Sequence, residues 1–143
     1  MIQYIRISKG DTALMELAFS VRTDVFIIEQ KVDPLLEMDE FDATSNHYLA
    51  LDGDKPIATA RWRYTENGIK LERFAVLKEY RNGGSGSQIL KLVLEDVLPY
   101  NEYTYLHAQL RAIPFYKRHG FEAEGELFVE ADIEHYKMHY NRS

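Results

Sequence analysis

Three glycines fall within four positions at Gly83, Gly84 and Gly86, between an apolar strand and an apolar-faced helix. The surrounding stretch, LERFAVLKEYRNGGSGSQIL from Leu71 to Leu90, reads as a strand, a short connection, a glycine-dense turn and a helix start. Glycine at this density lets other groups approach the backbone closely and permits left-handed conformations. Placed before a helix, it presents N–H groups that can hold phosphates at the positive end of the helix dipole. The competing reading is a flexible turn that caps a helix.

The rest of the chain supplies a sheet for this turn to sit on. Residues 1–8 alternate as a strand, with Ile5 and Ile7 on one face and Tyr4 and Arg6 on the other. Asp11 or Thr12 caps a helix carrying Leu14, Leu17, Ala18 and Val21. A second short helix or turn is expected at 25–30, broken by Asp33-Pro34. Strands at 47–51, 56–64 and 69–77 form a meander with hairpin signals at Asp52-Gly53 and Asn67-Gly68. A helix at 85–98 has Ile89, Leu90, Val93, Leu94, Val97 and Leu98 in one stripe. A strand at 103–108, a short helix at 112–119 ending on Gly120, and strands from Phe121 and over 135–140 complete the chain. This order predicts a mixed α/β layer structure with helices covering a central sheet.

Composition narrows the function classes. At 143 residues the expectation is a single domain over 1–143, without repeat or linker. A net charge of −6 argues against general affinity for nucleic acid or anionic membrane. No cysteine is present, which removes disulfides, thiolate metal sites and a cysteine nucleophile. No run approaches ~18 apolar residues and the N-terminus lacks a signal-like apolar segment, so a soluble cytoplasmic protein is expected.

Three phosphate or nucleophile signatures fail at the glycine turn. Ser87-Gln88 follows Gly86, so the Lys-Ser/Thr of a P-loop is missing. Gly84-Ser85-Gly86-Ser87-Gln88-Ile89 breaks the dinucleotide pattern, and Ser87 ends the hydrolase elbow pattern where glycine is needed. What matches is Arg-x-x-Gly-x-Gly between strand and helix at Arg81, Gly84 and Gly86. Downstream, a strand leads into Ala112-Ile113-Pro114-Phe115-Tyr116-Lys117-Arg118-His119-Gly120-Phe121. Together these resemble the two halves of the cofactor site of the GNAT N-acetyltransferase superfamily. Val25 to Gln30, Glu37, Asp39 and Asp42, with Ile133-Glu134-His135, resemble its small bacterial ElaA-like and YjcF-like branch.

That resemblance implies a mostly antiparallel mixed sheet flanked by helices on both faces, and acetyl-CoA as co-substrate without a metal. It places the pantetheine arm along Phe74, Ala75 and Val76, with the Val76 N–H as donor to the thioester carbonyl. It places the pyrophosphate on Arg81, Asn82, Gly83, Gly84, Ser85, Gly86 and Ser87. Relatives are often basic where this chain has Gly83, so backbone groups and Arg81 carry more of the load. Tyr116 is implied as the acid for the departing thiolate, against a packing role at the helix–sheet boundary. Gln109 stands where relatives often carry asparagine. Glu29 and Gln30 fall in the region that shapes the acceptor pocket.

Glu72 is the leading candidate base, since a period of two places it on one face with Phe74 and Val76. A raised pKa would suit it to deprotonate an ammonium. A water chain is the alternative, with Glu72 paired to Arg61, Arg63 or Arg73. The acidic segment with Glu37, Asp39, Glu40 and Asp42 is expected as a solvated loop, and the histidines as structural. Two of them, His135 and His139, share a strand face but do not make a metal site. Residues Tyr136 to Tyr140 are either a core strand or a homodimer edge.

The function expected is acetyl transfer from acetyl-CoA to an amine, on a small molecule, by direct attack. The rivals are a non-catalytic acyl-CoA-binding module and a protein or peptide N-acetyltransferase.

Overall fold

Short local signals set the elements. A computed structural model describes residues 1–142, with Ile2–Ile7 as β1. The Asp11 carboxylate accepts from the Leu14 N–H and caps α1, Thr12–Arg22. This helix continues into a π-helical stretch, Thr23–Glu29, where a separate short helix or turn was expected. Asp33 caps and Pro34 opens α2, Pro34–Glu37. The meander is β2 (Asn46–Asp52), β3 (Lys55–Thr65) and β4 (Gly68–Val76). After the glycine turn come α3 (Ser85–Val97), β5 (Thr104–Gln109) and α4 (Ile113–Arg118). The chain closes with β6 (Phe121–Glu130) and β7 (Ile133–Tyr140).

The seven strands form one sheet in the order β1-β2-β3-β4-β5-β7-β6. Only β4 and β5 run parallel; every other pair is antiparallel. The mixed, mostly antiparallel sheet that the resemblance implies is the one observed. β7 lies between β5 and β6, so Tyr136 to Tyr140 occupy an interior strand and the sheet edges are β1 and β6.

Adjacent residues of β3 show how helices cover both faces. Trp62 donates to the Tyr48 hydroxyl, which donates to Asp96 on α3. Arg61, one residue earlier, shares Asp42 with Arg22 of α1 on the opposite face. The α3 stripe of Ile89, Leu90, Val93, Leu94 and Val97 is buried as predicted. Each such side chain contributes about 1.5–3 kcal/mol of burial, so a charge at Val93 would unseat α3.

The acidic segment is not a solvated loop. Glu37 is buried, with carboxylate oxygens 2.5 and 3.1 Å from the Arg22 guanidinium. Asp39 accepts from Arg61 at 2.6 and 2.8 Å, and Asp42 receives both Arg22 and Arg61 at 2.7 Å. Arg73 donates to the carbonyls of Leu36 and Glu37 and to Asp39. Arg22 and Arg61 are each 1% exposed, and a buried guanidinium requires carboxylate partners. The acidic residues supply them and clamp the segment to the sheet. Glu40 stays exposed.

Candidate active site

The sheet parts in its middle. β4 and β5 pair only from Ile69↔Thr104 to Leu71↔Leu106. Beyond that vertex β4 stays with β3 through Val76, while β5 stays with β7 through Gln109. A cavity of about 1080 Å³ fills the fork. Arg81, Asn82, Gly84, Gly86 and Ser87 line it at the glycine turn; Glu72, Arg73, His107, Glu130 and His135 line it around the vertex.

The glycine turn leaves its donors unspent. Gly84 is the N-cap of α3 at φ +90°, and no side chain caps the helix. The N–H groups of the first helical turn therefore have no intrahelical acceptor. A Cβ on Gly84 would meet no atom within 4 Å, and one on Gly86 would only touch Phe115 and Val76 at 3.5 and 3.7 Å. Ser85 is buried and receives the Tyr4 hydroxyl, so it offers the cavity only backbone. The Ser87 hydroxyl is 2.9 Å from the His119 ring. Gly83 is absent from the cavity wall.

Arg81 is already engaged. Its Nη atoms donate to both Glu29 carboxylate oxygens at 2.6 Å, and its Nε donates to the Val76 carbonyl at 3.0 Å. This pair holds the Glu29 pKa below its ordinary value. Glu29 does not line the cavity, whereas Gln30 does and accepts from the Gln109 amide at 2.9 Å. The two residues expected to shape an acceptor pocket thus tie the end of the π-helical stretch to both arms of the fork.

β4 carries a bulge that changes which side chains share a face. The β3 register slips between Thr59↔Ala75 and Arg61↔Glu72, and Arg73 sits at φ +55°. Glu72 and Arg73 both bond into the arginine–carboxylate cluster on the α1 side. Phe74 instead meets the Tyr116 ring, and Val76 lies against Gly86 at the start of α3. The simple period of two fails here, and Glu72 lies across the sheet from Phe74 and Val76.

Past the bulge the backbone is poised along the open edge. Leu77 donates to the Ile57 carbonyl on β3. By the alternation of an antiparallel pair, the Val76 N–H and C=O face the opposite, unpaired side. The carbonyl is taken by Arg81, and the N–H points into the fork. Ala75 is buried in the core between them.

Glu72 lacks the environment a base needs. Burial alone would raise its pKa, but the Arg63 hydrogen bond and the charges of Arg61 and Lys70 outweigh it and hold it at about 2. Contacts from Arg61 at 2.5 Å, Arg63 at 3.1 Å and Lys70 at 3.1 Å surround it. Of the expected partners, Arg61 and Arg63 are present and Lys70 replaces Arg73. A carboxylate so held is a weak proton acceptor.

Tyr116 has the contrary surroundings. It lines the cavity, with edge-to-face contacts to Phe74, Phe115 and Phe121. Burial pushes its pKa well above the ordinary phenol value, so the hydroxyl keeps its proton at neutral pH. That hydroxyl has no hydrogen-bond partner among the described residues.

Sequence reasoning took His107, the first β5 residue beyond the vertex, as structural, and it lines the cavity. Its signal was present: the strand that leads to Tyr116 must part from β4, and residues at that point line the fork.

Comparison with known proteins agrees with this geometry. The acetyltransferase (GNAT) domain model matches residues 22–142. The chain is 39% identical over 134 residues to YjcF of Bacillus subtilis (strain 168), described as an uncharacterized N-acetyltransferase, covering 92% of this chain and 95% of that protein. An acyl-CoA N-acyltransferase from Pseudomonas aeruginosa superposes with a TM-score of 0.87 at 26% identity, covering 99% of this chain and 100% of the other. Escherichia coli ElaA shares the fold with a TM-score of 0.89 at 24% identity, covering 99% and 100%. With its forked sheet, open β4 edge and uncapped helix start, the chain belongs to the GNAT acetyltransferase family.

Proposed function

We propose that this protein transfers an acetyl group from acetyl-CoA to the amine nitrogen of a small molecule by direct attack. The family implies an acyl-CoA co-substrate. The observation that carries the reading is the alignment of three features along one cavity: uncapped N–H groups at Gly84 to Ser87, the free Val76 N–H, and the unpartnered protonated phenol of Tyr116. The turn takes the pyrophosphate, with Asn82 and Gly83 completing its backbone. The pantetheine lies along Phe74, Ala75 and Val76, and Gln109 borders it from β5.

The Val76 N–H then stabilises charge developing on the thioester oxygen. Tyr116 gives its proton to the departing sulfur; burial keeps the phenol protonated, so that proton is present when the thiolate leaves. Binding both substrates in the fork supplies the proximity gain. A small acceptor is favoured because the vertex end is walled by α2, β4 and the strands of the β5–β7–β6 half. The lack of cysteine fits a reducing cytosol and leaves no thiol for an acyl-enzyme.

The test is release of CoA thiol from acetyl-CoA over a panel of primary amines, with acetyl-CoA binding followed by calorimetry. Tyr116→Phe is expected to lower kcat roughly a hundredfold while leaving acetyl-CoA affinity within twofold. Tight acetyl-CoA binding without turnover of any amine, and no effect of Tyr116→Phe, would identify a non-catalytic binding module instead.

A further inference from the structure

The reaction needs a base that Glu72 does not supply, and the opposite arm of the fork holds a better one. His107 is the first residue of β5 beyond the last β4–β5 pair, Leu71↔Leu106, so it stands where the parting strands open. It lines the same cavity as Tyr116. Its Nδ1 is 3.1 Å from a carboxylate oxygen of Glu130 on β6. That contact, with burial opposing it and Lys70 and His135 adding to it, lowers the Glu130 pKa, so the carboxyl is ionised and can only accept. Nδ1 therefore carries a hydrogen, which leaves Nε2 as the ring nitrogen that can take a proton from an acceptor. No described residue bonds that nitrogen. The ring is fixed by Phe128, which meets it edge-on at 4.9 Å, and by Tyr105.

We infer that His107 is the general base of this enzyme, with Glu130 as the positioning residue that fixes its tautomer. The inference rests on the acetyl-transfer reading above. His107 Nε2 takes one proton from the acceptor ammonium, and the resulting imidazolium is paired with Glu130. The amine lone pair forms the C–N bond at the thioester carbonyl. The C–S bond breaks, its electron pair leaves on sulfur, and sulfur takes the Tyr116 proton. The second nitrogen proton returns to Tyr116 through solvent as the amide forms, and the His107 proton passes to solvent. Ammonium and thioester thus give amide, thiol and one released proton. The base stands on β5 and the acid on α4, so the two proton transfers use different elements.

The groups that bear on His107 come from three strands. Glu130 lies on β6, Lys137 stands opposite His107 on β7 with His135 one step along, and Lys70 projects from β4. A purely structural role, tying β5 to the sheet edge through Glu130, would affect stability but not a pH profile.

Four measurements test the proposal. Turnover of acetyl-CoA with the amine panel is measured from pH 6 to 9 for the wild type, His107→Gln and Glu130→Gln, alongside thermal unfolding and acetyl-CoA calorimetry. His107→Gln is expected to lose about a hundredfold in kcat and the ascending limb of the profile, with acetyl-CoA affinity within twofold. Glu130→Gln is expected to lose about tenfold in kcat with acetyl-CoA affinity within twofold, because a neutral amide supports the charge that develops on the ring less well than a carboxylate. His107→Gln turning over within threefold of wild type, with the same limb, overturns the assignment while leaving acetyl transfer intact. The fourth needs no turnover: imidazole nitrogen NMR of the wild type should show His107 as the Nδ1–H tautomer. An Nε2–H tautomer overturns the proposal even where no amine in the panel is acetylated, an outcome that separately counts against the transferase reading.

Discussion

Gly84 and Gly86 do different work two residues apart. Gly84 holds φ +90°, a region that costs an L-residue roughly 1–2 kcal/mol, whereas Gly86 is unstrained with ordinary van der Waals room for a Cβ. Gly84→Ala should therefore lower both stability, by about 1 kcal/mol, and acetyl-CoA affinity. Gly86→Val should spare stability more and still weaken acetyl-CoA binding at least tenfold, about 1.4 kcal/mol, because its side chain enters the phosphate cradle. Unfolding titrations and calorimetry separate the two. Glu72→Gln divides the readings of Glu72 in the same way. As an ion-pair hub, its loss should destabilise by about 3 kcal/mol or more; a catalytic base would instead show lost turnover at unchanged stability. The glycines were legible in the sequence because their geometry is local. The state of Glu72 was legible only in part: Arg61 and Arg63 were named as alternative partners, but their convergence with Lys70 of the same strand on one buried carboxylate depends on how β3 is registered against β4.

At the scale of elements, the π-helical stretch acts as a tie across the fork, through Glu29 to Arg81 and Gln30 to Gln109. The first tie sets a carboxylate beside the proposed pyrophosphate site and occupies its arginine. Breaking a partly exposed ion pair frees about 0.2–1 kcal/mol of interaction for a phosphate. Glu29→Gln is thus expected to raise acetyl-CoA affinity by up to about fivefold at low salt, with the gain shrinking as salt rises. Weaker binding in Glu29→Gln would show that Glu29 orients Arg81 for phosphate rather than competing with it. Strands and helices were readable from periodicity because each carries its own pattern. The β4 bulge was not, because nothing in Glu72-Arg73-Phe74 marks Arg73 for φ +55°. That one hidden residue inverted which neighbours Glu72 faces.

Across the whole molecule, an arginine–carboxylate network joins α1, the 37–42 segment, β3 and β4 behind the cavity. Its pairs join residues 9 to 36 positions apart, so the sequence presented a run of acids while the fold presents a buried lattice of pairs. The network fixes the sign of the acid response. Glu72 and Asp39 are each held at about 2, below ordinary values of 4.5 and 3.8. Groups depressed on folding contribute stability that is complete above their unfolded pKa and disappears as pH falls through the folded one. Stability should therefore vary little from pH 7 to about 5, then fall steeply between about pH 4.5 and 2. Added salt should protect it only weakly, because buried pairs are poorly screened. Arg61→Met removes the shared partner of Asp39, Asp42 and Glu72, and should cost about 3–5 kcal/mol at neutral pH. It should also flatten the acid limb, since carboxylates without their arginine no longer titrate low. Equal acid slopes for wild type and Arg61→Met in thermal unfolding from pH 7 to 2 would place the acid-sensitive charges outside this network.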